Sequence, residues 1–404
     1  MLTTLIFGVT QSLTEYVSHL CGESGDICVY KTLDSYRSPH EVARLLNTYC
    51  PELIFLQLAA SEEEGVSAER VRLVVEQIRM VQPETALVGL LPKADEAGLR
   101  IAAELGIVEI LIPPVAQEEF RAVVFRALDR SAGAVRGNVF TFLPAKSGSG
   151  ATVTALNVAG CLAREFHRKV LLLEADIQSG PVAIMLNIQP EQSITDALDY
   201  SNQLSAETWR QMVAKVDDLD VLATSGARTV SKTSPFSYFR LLRFARDHYD
   251  DVIVDLPGVV EDAAEPLLSN SKGVYVVCTP EVTSLALARR RLRQLELRGI
   301  PDSVVHVILN RSDQTEPTLT EIEESLGRKI AAELPNDYRA LRKAVESGGF
   351  VDPDTELGKG CASFAAALLG DGHEGHPVGG SKWKALLGKL GVSVQNEGVH
   401  NHRV

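Results

Sequence analysis

Short apolar runs alternate with segments of helical periodicity along almost the whole chain, and this alternation limits the possible folds. Segments such as PHEVARLLNTY and SAERVRLVVEQIRMV carry apolar residues at helical spacing. Strands that each lead into a helix form a parallel sheet covered on both faces, so we predict an α/β domain over residues 1–131. Its predicted strands are LTTLIFG, DICVYK, ELIFLQL, TALVGLL and VEILIP.

A second α/β series follows a small polar stretch at 132–137, which we interpret as a linker. Helical patterns separate nearly all of its strands, so residues 138–369 are predicted to form another doubly wound parallel sheet. The predicted strands are NVFTFLP, KVLLLEAD, LDVLAT, DVIVDLP, GVYVVCTP and VVHVILNR. Residues 370–380 are predicted to be a flexible linker, and residues 381–404 a tail with a short basic amphipathic segment, SKWKALLGKLGV.

Length and charge narrow the class of protein. The 404 residues suit two domains with extra segments, and the formal net charge of −13 argues against broad, non-specific DNA binding. The six cysteines are scattered without metal-ligand spacing, which is typical of a reducing compartment. The sequence has neither a signal-peptide pattern nor an apolar stretch long enough to span a bilayer. We therefore expect a cytoplasmic protein, with at most a peripheral membrane contact.

The strand NVFTFLP leads through AKSGSGAT into the helical segment VTALNVAGCLAREF. A strand, a small-residue turn and a helix N-terminus are the usual setting for phosphate binding, because backbone N–H groups and the helix dipole face the anion. The turn 147–150 is rich in Ser and Gly, which favours this interpretation over a plain connecting loop. Thr152 is placed to give its hydroxyl to Mg²⁺. The predicted phosphate contacts are Ser147, Gly148, Ser149, Gly150, Ala151 and Thr152.

This loop resembles that of the MinD/ParA superfamily, whose pattern is K-G-G-x-G-K-[ST]. The resemblance makes Lys146 the signature lysine, which in the family reaches the partner's nucleotide across a dimer. The second lysine, which contacts the phosphates, is replaced by Ala151, and the first glycine by Ser147. The resemblance thus implies an ATP- and Mg²⁺-binding homodimer, and the missing lysine implies impaired hydrolysis.

Further residues match the family in order. Asp176 in LLEADIQSG corresponds to the aspartate near the attacking water, and Asp255 in DVIVDLPG to the aspartate that holds Mg²⁺ through water. Asn310 in VILNR corresponds to the residue that contacts the adenine edge, and Pro335 and Asp337 to a late base-contacting loop. An Asp after a strand is often only a helix N-cap, but four motifs in the right order make coincidence improbable.

The first α/β series resembles a response-regulator receiver without its chemistry. Gln57 stands at or near the position of the phosphoacceptor Asp, so we interpret residues 1–131 as a pseudo-receiver. A pseudo-receiver fused to a MinD/ParA-like domain resembles the TadZ/CpaE family. That resemblance implies a polar localisation and scaffold protein for Flp pili, with pilus secretion machinery or polar landmark proteins as partners.

Two other functions stay open: an active MinD/ParA-type ATPase that cycles on a membrane, and a DNA-partitioning ATPase. The arginine-rich run 288–299 is basic enough for nucleic acid or anionic lipid, but we favour a solvated helix face with its leucines inward. The tail segment suits weak membrane association or partner docking, and a tail without a role is an equal alternative.

Overall fold

The computed structural model describes residues 1–7, 10–58, 67–94, 96–131, 137–225, 233–312 and 317–370. Residues Met1–Ala365 form one compact unit. Both sheets lie in this unit. Among the described residues, none of the helices has the length and apolar character needed to cross a membrane. The predicted tail at 381–404 lies outside the described residues, and so does the predicted linker at 370–380 apart from Gly370.

The first sheet has five parallel strands in the order β2-β1-β3-β4-β5, the arrangement of flavodoxin-like folds. Its strands are β1 Leu2–Phe7, β2 Ile27–Leu33, β3 Leu53–Gln57, β4 Ala86–Leu90 and β5 Ile110–Leu111. The helices between and after them are α1 Gln11–Ser24, α2 Pro39–Tyr49, α3 Ala68–Val81, α4 Glu96–Glu104 and α5 Gln117–Ser131. The predicted parallel α/β fold of this region is confirmed.

The second sheet has eight strands in the order β13-β12-β11-β6-β10-β7-β9-β8, and only β8 runs antiparallel to its neighbour. Its strands are β6 Asn138–Pro144, β7 Val170–Glu174, β8 Ala214–Val216, β9 Leu219–Leu222, β10 Asp251–Asp255, β11 Gly273–Cys278, β12 Val305–Ser312 and β13 Ile330–Pro335. The six predicted strands are present. The edge strands β8 and β13 were missed, because each alternates exposed and half-buried residues rather than forming an apolar run.

Helices cover the second sheet as expected for an α/β fold. They are α6 Ala151–Arg164, α7 Val182–Met185, α8 Ile194–Asp199, α9 Ala206–Met212, α10 Pro235–His248, α11 Glu265–Ser269, α12 Val282–Leu297, α13 Leu319–Leu326, α14 Tyr338–Ser347 and α15 Glu356–Leu369. The central strands β10 and β11 are buried throughout, and apart from the terminal Asp251 and Asp255 of β10 their residues are apolar or Gly and Tyr. The polar ends of these strands supply the candidate site.

Helix α10 joins the two sheets. Its Phe236 and Phe239 belong to the same buried cluster as one face of the first sheet. Their rings lie 4.8 and 5.1 Å from the ring of Phe125 in α5. At the edge of this contact, Arg246 donates to Asp129 at 3.1 Å. The predicted linker at 132–137 lies outside the described residues except for Gly137, and the domain boundary stays a prediction.

Candidate functional site

The turn between β6 and α6 has the backbone geometry of a phosphate-binding loop. Gly148 and Gly150 have φ values of 80° and 93°, which side-chain-bearing residues rarely adopt. The Ser149 N–H donates to the Lys146 carbonyl at 3.1 Å and closes the turn. Helix α6 begins at Ala151 without a side-chain cap. The N–H groups of its first turn therefore face the loop, where they and the helix dipole attract an anion.

Asn310, at the end of β12, braces this loop. Its Nδ2 donates to the Ser149 carbonyl at 2.8 Å, and its Oδ1 accepts from the Arg311 N–H at 2.9 Å. A Cβ at Gly150 would lie 2.1 Å from Asn310 Nδ2, so glycine is needed there for the approach. The structure thus gives Asn310 a positioning contact with the phosphate loop. Its predicted contact with adenine stays a prediction.

Thr152 and Asp255 meet beneath the loop. Asp255 ends β10 between β6 and β7, with 1% of its surface exposed, and accepts a hydrogen bond from the Thr152 hydroxyl. Its Oδ1 is buried and has no hydrogen-bond partner among the residues that the structure describes. Burial, followed by the charges of Glu174 and Asp176, raises the pKa of Asp255 to about 8. A carboxylate with an unused buried oxygen beside a threonine hydroxyl fits a bound Mg²⁺, which prefers oxygen ligands.

Two more buried hydroxyl groups, those of Ser149 and Thr279, lie near the carboxyl ends of the strands. Neither has a hydrogen-bond partner within the described part of the chain. Ser149 is completely buried in the loop. Buried polar atoms are nearly always paired, so such atoms indicate a missing ligand or water. Ala151, at the position of the second family lysine, has 4% of its surface exposed and offers no charge. The loop therefore offers backbone N–H and hydroxyl donors. At position 151 it lacks the lysine ammonium group that the family has there.

Glu174 is a site residue that the sequence interpretation missed. It ends β7 beside Asp255 and is fully buried. Its Oε1 accepts from the Val182 N–H at 2.7 Å, and its Oε2 accepts from the Thr224 N–H at 2.9 Å. Burial raises the pKa of Glu174 to about 7, partly offset by these two hydrogen bonds. An acidic residue within an apolar strand, two positions before Asp176, was the available sequence signal.

Lys146 pairs within its own chain. Its ammonium group lies 2.5 Å from a carboxylate oxygen of Glu281, the N-cap residue of α12. This contact lowers the pKa of Glu281. Sequence reasoning missed Glu281. The predicted reach of Lys146 to a partner's nucleotide stays a prediction.

The remaining predicted residues are Asp176, Pro335 and Asp337. Each lies at or just after the carboxyl end of a strand of the second sheet. Asp176 is half-buried after β7, and its Oδ1 accepts from the Ser179 N–H at 3.0 Å. Pro335 ends β13, which pairs with β12 through Ser312. Asp337 caps α14 by accepting from the Ala340 N–H at 3.0 Å, the local role that an Asp often has. The roles of Asp176, Pro335 and Asp337 in catalysis or base contact stay predictions.

The side chains at this site are too few to hold a metal ion by themselves. The described part of the chain has no group of three or more His, Cys, Asp or Glu side chains suited to a metal ion. A metal at Thr152 and Asp255 would therefore need other oxygen ligands, from phosphate groups and water. This is the usual arrangement for Mg²⁺ held together with a nucleotide, and the geometry is that of an α/β protein with a loop of the P-loop class.

Comparison with known proteins supports a narrower class. The chain is 26% identical over 244 residues to the septum site-determining protein MinD of Thermotoga maritima, which covers 58% of this chain and 89% of the relative. It is 25% identical over 218 residues to an ATP-binding protein of Methanocaldococcus jannaschii, covering 53% and 80%. A scan against models of known protein families gives no match.

A solved structure agrees. The ParA family ATPase from Chlorobium tepidum TLS superposes with a TM-score of 0.53 and 27% identity, covering 57% of this chain and 98% of the other. Homologues and structure together support the MinD/ParA superfamily of ATPases for this region.

Proposed function

We propose that this protein is a nucleotide-binding localisation and scaffold protein of the TadZ/CpaE kind, which binds Mg-ATP and hydrolyses it poorly. The observation that carries the proposal is the phosphate-type backbone of the loop beside Thr152 and Asp255, in which Ala151 takes the place of the second family lysine. The relative from M. jannaschii, named an ATP-binding protein, supports the choice of ligand.

Different residues of the chain would hold the phosphates and the metal ion. Backbone N–H groups of the loop and of the first turn of α6 would hold the phosphates, and the Thr152 hydroxyl and Asp255 would hold Mg²⁺. Bound Mg²⁺ supplies positive charge that offsets the charge of the phosphates. Phosphoryl transfer needs a further fixed cation, and removing one such preorganised group typically costs about 10²–10³ in rate. Ala151 leaves that position uncharged.

The first sheet supports a role in protein contacts rather than phosphorylation. Gln57 is buried, and its Oε1 accepts from the N–H and hydroxyl groups of Thr10 at 2.8 and 3.3 Å. The Tyr36 hydroxyl donates to the Gln57 carbonyl at 2.5 Å. An amide that is already hydrogen-bonded at this position does not accept a phosphoryl group. We infer a pseudo-receiver that contacts pilus machinery or polar landmark proteins.

Dimerisation and location complete the proposal. A homodimer through the second sheet's region would bring Lys146 to the partner's nucleotide, after release from Glu281. The protein would act at a cell pole, in the cytoplasm or at the membrane surface. DNA is not an expected partner, given the net charge of −13.

The test is Mg-ATP binding and steady-state phosphate release, measured side by side. We expect calorimetry to show Mg-ATP binding to wild type, and Asp255→Asn to weaken it by removing the Mg²⁺ carboxylate. Turnover should be at least about a hundredfold below that of an ordinary MinD-type ATPase. Ala151→Lys should raise turnover, because it restores the missing cation.

The control is Arg44→Glu, which changes an exposed residue of α2 that is remote in sequence from the phosphate loop. It should leave both Mg-ATP binding and phosphate release unchanged. Failure of wild type to bind Mg-ATP would refute the nucleotide-binding proposal. Wild-type turnover equal to that of ordinary MinD-type ATPases would favour the alternative, an active membrane-cycling enzyme.

A further inference from the structure

The loop that carries Asp176 is folded over the buried carboxyl group of Glu174. It connects β7 with α7, and two hydrogen bonds close its turn. The Ser179 N–H donates to Asp176 Oδ1, and the Gly180 N–H donates to the Asp176 carbonyl, both at 3.0 Å. Beyond the turn, the Val182 N–H donates to Glu174 Oε1 at 2.7 Å. The carboxyl group of Glu174 therefore joins the two ends of this loop.

Thr224 holds the same loop from the neighbouring strand. It follows β9, which pairs with β7. Its hydroxyl donates to the Ile177 carbonyl at 3.2 Å, and its N–H donates to Glu174 Oε2 at 2.9 Å. Thr224 has 6% of its surface exposed and Glu174 has none. A buried polar group that loses its partner keeps the full cost of its desolvation, so these bonds favour one arrangement of the loop.

Gly180 allows the loop to lie against this carboxyl group. A Cβ at Gly180 would lie 2.2 Å from Glu174 Cδ and 2.7 Å from the Asp176 carbonyl oxygen. Glu174 cannot move aside without loss, because both of its oxygens accept hydrogen bonds. A larger residue at position 180 would therefore push the loop, and Asp176 with it, away from Glu174.

We propose that Glu174 and Thr224 form a clasp that positions Asp176. Both are positioning residues, because their polar atoms bond the loop or each other. Reacting groups must be held within about 0.5 Å of their productive position, and the clasp fastens the backbone on both sides of Asp176. Its effect on hydrolysis rests on the proposed function, through the predicted place of Asp176 near the attacking water. The alternative is a purely structural role, in which the same bonds only stabilise the fold.

Hydrogen-exchange mass spectrometry of the full chain, without nucleotide, tests the clasp itself. Thr224→Val removes the hydroxyl and keeps the shape of the side chain, whereas Thr224→Ser keeps the hydroxyl. In Thr224→Val, the amides of residues 179–182 should exchange at least about threefold faster than in wild type, because one of the bonds that hold the loop closed is lost. Thr224→Ser should exchange as wild type does.

Single-turnover cleavage of radiolabelled ATP, with Mg²⁺ present and protein in excess, tests the consequence for Asp176. Thr224→Val should cleave bound ATP at least about tenfold more slowly, since small displacements of a reacting group cost rate steeply. The Kd for Mg-ATP should be unchanged, because Thr224 lies outside the phosphate loop. Thr224→Ser should restore the rate of cleavage. A variant that is only less stable would not separate rate from affinity in this way.

Thr85→Val is the matched control. Thr85 is 7% exposed, and its hydroxyl donates to the Pro51 carbonyl at 3.0 Å beside the first sheet. The substitution removes a similar buried hydrogen bond, so it tests the effect of lost stability alone. It should change neither the exchange of residues 179–182 nor the cleavage of ATP.

A second pair of variants approaches the clasp from the loop. Gly180→Ala should also speed the exchange of the Val182 amide, because the added Cβ meets Glu174. Gly22→Ala in α1 is its control, since a Cβ there has no atom within 4 Å outside its own helix and chain neighbours. This control should leave the exchange of the Val182 amide unchanged.

Equal exchange in Thr224→Val and wild type would overturn the clasp, as would equally fast exchange in Thr224→Ser and Thr224→Val. Faster exchange with an unchanged rate of ATP cleavage would overturn the positioning of Asp176. Wild type that binds Mg-ATP and cleaves none would overturn it too. Failure of wild type to bind Mg-ATP would instead refute the proposed function and the effect on hydrolysis, while hydrogen exchange still decides whether the clasp holds the loop.

Discussion

At the scale of single residues, the buried carboxyl group of Glu174 makes the stability of the folded protein depend on pH. Its pKa is raised from the ordinary value of 4.5 to about 7, because burial disfavours the charged form. The folded protein therefore holds this proton more tightly than the unfolded chain does. The resulting stabilisation is fully present below pH 4.5 and is lost as the pH rises through about 7.

Glu174→Gln tests this sign. Glutamine stays neutral and cannot accept from both the Val182 and Thr224 N–H groups, so we expect a loss of about 1–3 kcal/mol in the free energy of unfolding near pH 5. The difference from wild type should shrink as the pH rises to 8. Thermal midpoints by circular dichroism, without nucleotide or Mg²⁺, provide the measurement. A difference that grows with pH would mean that the pKa of Glu174 is lowered instead.

At the scale of elements, α10 decides how the first sheet is held. Phe239 has 4% of its surface exposed and stacks on Phe125 of α5. Phe239→Ala should lower the free energy of unfolding by about 3–5 kcal/mol, because it opens a cavity in a shared core. Urea unfolding provides the measurement. The control is Met80→Ala, which changes a residue that is 75% exposed. It should change the free energy of unfolding by less than about 0.5 kcal/mol.

The same substitution distinguishes two kinds of contact. If Phe239 were a loosely docked surface residue, its removal would cost little more than the change at Met80. A loss equal to that of the control would therefore contradict a core that runs from α5 into α10.

At the scale of the whole molecule, the shared core predicts cooperative unfolding. Met1–Ala365 forms one compact unit that contains both sheets. We expect the slowest-exchanging amides of β3 and β10 to report the same opening free energy in hydrogen-exchange mass spectrometry. Exchange of β3 at a clearly lower free energy would show that the first sheet opens by itself, in agreement with two independent domains.

The sequence determined the fold class and most of the strands. Buried parallel strands are rich in apolar residues, and such runs mark β7 and β11 without knowledge of their neighbours. The phosphate loop was also predictable, because its glycines and the following helix are local features. The edge strands β8 and β13 were not, since an edge strand with one exposed face needs its neighbour to be recognised.

Only the tertiary structure decided which distant residues meet. Glu174 is joined to Thr224, Asn310 to Ser149, and Lys146 to Glu281, and each contact spans dozens of residues. The contact of α10 with α5 likewise depends on packing between two sheets. Local sequence patterns specify strands, turns and helices, because these depend on neighbouring residues. Contacts between side chains far apart in the chain depend on strand order and packing, which no local pattern contains.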